Sequence, residues 1–172
     1  MPEEPVRFAL IGCGRIVRKH LDAIAQLPEA KLAAVCDLDP VLAKKIGTQT
    51  GVPYYTNYHE MFDKEEFDVV NVLTDSGSHA QVVLEVARYG RHIVVEKPMA
   101  LRLADADRMI AECTKHNVRL FVVKQNRYNK AVQHLRKALD DGRFGKLVMG
   151  TVRVRWMRDQ AYYDQSPWRG TW

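Results

Sequence analysis

The chain has 172 residues, 47% of them hydrophobic and 27% charged, with a net charge of +5. This is ordinary for a globular protein, and the length is generous for one domain but short for two complete ones. The start, Met1 to Pro5, has neither the basic nor the apolar region of a secretory signal, and no stretch reads as a membrane span. The positive charge is concentrated in the tail, where Arg143, Lys146, Arg153, Arg155 and Arg158 occur with no acid between Gly142 and Asp159; that weakens a nucleic-acid reading of the whole chain.

Val6 to Ile11 reads as a short buried strand, followed by Gly12-Cys13-Gly14-Arg15-Ile16-Val17 and a helix with Leu21, Ile24 and Leu27 on one face, stopped by Pro28. Gly12 would permit the tight turn and Gly14 the close approach of a pyrophosphate, held by the free N–H groups and dipole of the helix start around Arg15 and Ile16. Val17 occupies the third glycine position, so this fingerprint is incomplete. Leu32 to Cys36 is a second buried-type strand ending at Asp37, about 20 residues past the fingerprint, where an acid accepts the adenosine ribose hydroxyls and favours NAD over NADP. A turn role suits Asp39 better: it precedes Pro40 as the N-cap of a helix over 41–50 ended by Gly51.

Pro53-Tyr54-Tyr55 predicts a short strand, and 59–62 a helical turn. Asp68 to Thr74 reads as a fourth strand, Asp75 to Ser78 as its exit loop and His79 to Tyr89 as a helix. Thr74, Ser76 and His79 are candidate cofactor contacts, although a histidine in a first helical turn is more often structural. His92 to Val95 is an apolar strand ending abruptly in Glu96-Lys97-Pro98, where ligands sit in an open parallel sheet; the Lys97–Pro98 bond is expected to be cis. A helix over 104–116 should bury Met109, Ile110 and Cys113, and 119–123 makes a sixth strand. The β-α alternation suggests a doubly wound α/β sheet with crevice residues at each strand exit.

Beyond Val123, Asn129 is expected to cap a helix with Val132, Leu135 and Leu139 on one face, ended by Gly142. Leu147 to Met157 then reads as a long strand, with Val148, Val152, Val154 and Trp156 on one face and Thr151, Arg153 and Arg155 on the other. The three cysteines, Cys13, Cys36 and Cys113, have no disulfide or metal-ligand spacing and fit a reducing, cytoplasmic setting.

Taken together, the glycine turn at Gly12 and Gly14, the acid at Asp37, the Thr74 to His79 loop and above all Glu96-Lys97-Pro98 resemble the Gfo/Idh/MocA family of nicotinamide-dependent sugar and inositol oxidoreductases. The family's usual Thr-Pro-Asn-type exit loop is Thr74-Asp75-Ser76 here. The resemblance implies a Rossmann domain over 1–124 followed from 125 by the beginning of an α+β domain built on an open sheet, with a homo-oligomer formed through that sheet. It also implies NAD as cofactor and no metal. Lys97 is implied to be catalytic, touching both nicotinamide and substrate, with Glu96 and Gln125 among the cofactor contacts. Residues 124–129, Gly142 to Gly145 and Trp168 to Trp172 are similar to the branch that oxidises UDP-N-acetylglucosaminuronic acid at C3 of the sugar, in lipopolysaccharide sugar biosynthesis.

A UDP-uronic acid offers a diphosphate and a carboxylate, which makes Arg127, Tyr128, Arg158, Trp168 and Arg169 the candidate substrate contacts. In that branch an Asp and a His farther along complete the catalytic group. The 172 residues are therefore expected to be an amino-terminal half that binds NAD without turning over a sugar nucleotide. The alternatives left open are a dehydrogenase of another sugar nucleotide or cyclic polyol, and a non-catalytic NAD-sensing regulator of the same fold.

Overall fold

The computed structural model describes residues 4–166 and 169–170, in two compact units divided between Val123 and Lys124. The first unit is a six-stranded, all-parallel sheet in the order β3-β2-β1-β4-β5-β6, formed by β1 (Val6–Ile11), β2 (Ala30–Cys36), β3 (Tyr54–Tyr55), β4 (Val69–Val72), β5 (His92–Val95) and β6 (Leu120–Val122). The connecting helices are α1 (Val17–Ala25), α2 (Pro40–Thr50), α3 (Tyr58–Lys64), α4 (His79–Val86) and α5 (Leu103–Lys115). This is the Rossmann arrangement, and the strand order reverses between β1 and β4.

Residues alternate across the pleat and supply two cores. Ala9, Ile11, Val70, Val72, Ile93 and Val95 pack with Met61, Val83 and Met109, whereas Leu10 and Val35 pack on the other face with Val17, Ile24 and Ile46. Asp39 caps α2 as expected, accepting from the Val41 N–H at 2.8 Å, and Gly51 closes it at φ 71°. Helix α5 buries Met109 and Cys113 but leaves Ile110 53% exposed, which corrects its expected burial: one residue further on is about 100° round the helix and off the core stripe. The cysteines are free and buried; burial, reinforced by the nearby Asp37 charge, pushes the thiols of Cys13 and Cys36 up to about 12. Among the described residues no helix is long and apolar enough to cross a membrane.

The second unit holds a 3₁₀ turn (Gln125–Tyr128), helix α6 (Lys130–Asp140) and the short helix α7 (Gln160–Asp164). Asn129 stands at the N-cap of α6, but its side chain makes no capping hydrogen bond. Gly142 follows the helix at φ 69° and donates to the Leu139 carbonyl at 3.0 Å. The long strand expected over Leu147 to Met157 is not formed, and Val148, Val152 and Trp156 are exposed. The alternation is present in the sequence, but a strand exists only as part of a ladder, and among the described residues nothing pairs with this segment.

Candidate active site

The switch point between β1 and β4 gathers the predicted residues of the first unit at the carboxyl ends of the strands. After β1, Gly12 takes φ 105° and lies so close to the end of β4 that a Cβ there would be 2.7 Å from the Leu73 carbonyl carbon. Gly14 is exposed, and a Cβ on it would meet nothing within 4 Å. Arg15 and Ile16 are exposed beside it, and no side chain caps α1. An open cradle over an uncapped helix start fits the pyrophosphate of a dinucleotide.

Asp37 follows β2. Its Oδ2 accepts from the Cys13 N–H at 2.6 Å and its Oδ1 from the Asp39 N–H at 2.8 Å. The carboxylate therefore pins the glycine turn to the β2 exit, and each oxygen keeps a lone pair for ribose hydroxyls. Replacing Asp37 with alanine is expected to weaken NAD binding by about tenfold or more, the equivalent of one charge-assisted hydrogen bond of about 1.5–3 kcal/mol, and to relax discrimination against NADP. Calorimetry with both dinucleotides checks this, and unchanged affinities would leave Asp37 as a turn brace alone.

After β4, Thr74 Oγ1 accepts from Ser78 Oγ at 2.8 Å, and Ser76 is half-buried. His79 is buried, with Nδ1 2.8 Å from the Pro98 carbonyl oxygen and Nε2 3.0 Å from that of Thr74. Protein carbonyls face both nitrogens, so His79 braces the β4 and β5 exit loops instead of offering a polar contact to a cofactor. After β5, Lys97 is exposed, Glu96 is buried, and the Lys97–Pro98 bond is cis as expected.

Glu96 is held by a residue that the sequence reading passed over: His20 of α1, whose Nε2 lies 3.1 Å from Glu96 Oε1. The other carboxylate oxygen accepts from the Lys97 backbone N–H at 3.0 Å. Burial is the largest single influence on Glu96 and opposes its charge. The hydrogen bonds from His20 and from the Lys97 backbone, with the nearby Lys97 charge, are among the influences that outweigh it and hold the carboxyl below its ordinary value of 4.5.

In the second unit, Gln125, Arg127 and Tyr128 lie exposed on the 3₁₀ turn. Arg158 and Arg169 meet on the Tyr162 ring, their guanidinium carbons 4.5 and 4.0 Å from its centroid. Arg169 also donates to the Tyr162 carbonyl and to Gln165 Oε1. Tyr162 was not among the expected site residues; nothing in its sequence context distinguishes it from Tyr163. Trp168 lies outside the described residues.

Residues 6–124 match the oxidoreductase family described as having an NAD-binding Rossmann fold, Gfo/Idh/MocA. The chain belongs to this family. Its Rossmann unit binds NAD, and the crevice just described fits that cofactor. The structure of the WlbA dehydrogenase from Bordetella pertussis, in complex with NADH and UDP-GlcNAcA, is 44% identical with a TM-score of 0.93, over 97% of this chain and 51% of that one. D-apiose dehydrogenase of Paraburkholderia graminis is 36% identical over 148 residues, covering 86% of this chain and 40% of the relative. Myo-inositol 2-dehydrogenase of Thermotoga maritima is 32% identical over 142 residues, covering 82% and 42%. The chain thus spans about half the length of the WlbA structure and less of the two curated relatives. These relatives are a sugar-nucleotide, a sugar and a polyol dehydrogenase, and what this chain shares with them is the NAD-binding Rossmann unit of the oxidoreductase family.

In this family member the Glu96 network should also be visible in acid. Because the folded carboxyl ionises below 4.5, its contribution is complete above that pH and is lost as the pH falls through the folded value. Glu96→Gln is expected to lower the urea midpoint near neutrality and to approach wild type on acidification from about pH 6 to about pH 3. A gap that stays constant across that range would show that the charge contributes nothing.

Proposed function

We propose that this chain is the cofactor-binding, lysine-bearing part of an enzyme that oxidises the C3 hydroxyl of UDP-N-acetylglucosaminuronic acid to the 3-keto sugar in the cytoplasm. The observation that carries this reading is the exposed Lys97 at the end of β5, its main chain anchored by a buried carboxylate, in a chain 44% identical to a dehydrogenase structure containing NADH and UDP-GlcNAcA.

The bound nicotinamide supplies the hydride acceptor. Lys97 then hydrogen-bonds the alcohol oxygen and takes part in removing its proton, while Glu96 directs the lysine. The guanidinium groups of Arg127, Arg158 and Arg169 offer planar donor forks suited to diphosphate and carboxylate, and Tyr128 and Trp168 offer aromatic surface for the same ligand. Gln125, Thr74 and Ser76 belong to the proposed cofactor contacts. A homo-oligomer, with the apolar Leu147 to Met157 segment completing an intersubunit sheet, is part of the same reading.

The 32% identity to an inositol dehydrogenase favours one rival, a cyclic polyol as substrate. A cofactor sensor is disfavoured, because sensing does not require a lysine placed to handle a proton. The deciding assay gives full-length protein NAD with UDP-N-acetylglucosaminuronic acid, UDP-N-acetylglucosamine, myo-inositol and apiose, and follows absorbance of the reduced cofactor. Turnover confined to the uronic acid supports the proposal; preference for inositol or apiose replaces it; no turnover with any substrate, alongside tight NAD binding, leaves the sensor.

A further inference from the structure

The buried polar group behind Lys97 contains more than the carboxylate. His20, Asn71 and Glu96 come from α1, β4 and the end of β5, are separated by 51 and 76 residues from His20, and form one chain of contacts. Asn71 Nδ2 lies 3.0 Å from His20 Nδ1, and His20 Nε2 lies 3.1 Å from Glu96 Oε1. With the amide nitrogen donating to Nδ1, the ring carries its proton on Nε2 and donates it to the carboxylate. Asn71 is 4% exposed, and the side chains of His20 and Glu96 are 13% and 9% exposed.

We propose that His20 is a positioning residue for Lys97, acting through Glu96, with Asn71 setting its tautomer. This rests on the reading of Lys97 as the proton-handling residue. A buried carboxylate stays ionised only while donors face it; here one oxygen takes the His20 N–H and the other the Lys97 backbone N–H, so both the plane and the charge of Glu96 are held from α1. Removing the ring N–H leaves Glu96 to protonate or turn outward. Either change frees the Lys97 main chain at the point where its direction into the crevice is set. Helix α1 also begins at the glycine turn, so one rigid element holds the pyrophosphate end of the site and, through His20, the orientation of the lysine.

His20→Leu removes both ring contacts, and His20→Gln retains a donor that can reach Glu96. In full-length protein the leucine variant should lose about 10- to 100-fold in kcat, with KM for both substrates and the calorimetric Kd for NAD little changed, and the glutamine variant should recover most of it. In the 172-residue chain, the Lys97 amide proton should move upfield in the leucine variant and return towards its wild-type position in the glutamine variant. Wild-type kcat in His20→Leu overturns the proposal. So does a loss of kcat that tracks losses of NAD affinity and thermal midpoint, with glutamine no better than leucine, because His20 would then be scaffold alone. Should the leucine variant fail to fold, Glu96→Gln decides: full kcat without the carboxylate charge overturns the proposal, and reduced kcat at unchanged NAD affinity supports it. Undiminished turnover in Lys97→Met would instead defeat the functional reading; a dead Lys97→Met beside a fully active His20→Leu would defeat only this inference.

Discussion

Replacing Lys97 with methionine is expected to lower turnover by about a hundred- to ten-thousand-fold, the range associated with loss of a general acid-base group, while leaving NAD affinity nearly intact. The two effects separate because the groups lie on different strand exits. The proposed dinucleotide contacts at the pyrophosphate and ribose are the glycine turn after β1 and Asp37 after β2, which the Cys13 N–H joins to each other at 2.6 Å, and neither position involves the Lys97 side chain. At the end of β5 it is the Lys97 backbone N–H, not the ammonium, that is committed to Glu96. Methionine keeps an unbranched, flexible stem of similar reach and removes only the charge and the proton-handling nitrogen, so the strand end has no packing reason to move. Steady-state absorbance of reduced cofactor measures the first effect and calorimetry the second. An equal loss in both would make Lys97 a binding residue for the dinucleotide and withdraw it from the chemistry.

The cofactor half of this site was legible because each part is local. A glycine pair after an apolar run, an acid at the end of the next run, and Asp39-Pro40 at a helix start all report backbone geometry within a few residues. The Glu96-Lys97-Pro98 stretch belongs to the same class. What escaped the sequence was set by contacts between distant residues. His20 falls on the inward face of α1 beside Val17, Leu21 and Ile24, where a lone histidine reads as an ordinary member of a packed stripe; its meaning comes from a carboxylate 76 residues away. His79 shows the reverse, a polar residue at the right loop whose nitrogens both face carbonyls. The alternating Leu147 to Met157 pattern was readable as strand sequence, but alternation specifies which faces a strand would present and says nothing about whether a neighbour exists to pair with it.

The second large effect separates the two glycines of the turn, which sequence pattern alone treats as one motif. Alanine at position 12 is expected to destabilise the protein even without ligand. Its backbone sits at φ 105°, outside the range L residues adopt easily, and the added Cβ would lie 2.7, 2.8 and 2.9 Å from the Leu73 carbonyl carbon, the Leu73 oxygen and the Thr74 nitrogen. Those atoms cannot yield cheaply, because the Leu73 N–H is bonded to the Ile11 carbonyl at 2.7 Å and the Gly12 N–H to Cys36 at 2.8 Å, so moving them opens the centre of the sheet. Backbone strain of about 1–3 kcal/mol and overpacking of about the same size add to a substantial fraction of a typical domain's 5–15 kcal/mol of stability, roughly. Alanine at position 14 is expected to behave differently. Its Cβ meets nothing within 4 Å, so the thermal midpoint of the ligand-free protein should stay at the wild-type value. The methyl group would nonetheless stand at the surface over which the pyrophosphate approaches α1, and NAD affinity should fall by about tenfold or more as that approach is lost. Thermal unfolding with and without NAD, run on both variants, reads the contrast directly: a stable Gly12→Ala would mean that the β1–β4 junction is softer than its hydrogen bonds indicate, and a Gly14→Ala that binds NAD normally would place the pyrophosphate away from the glycine turn.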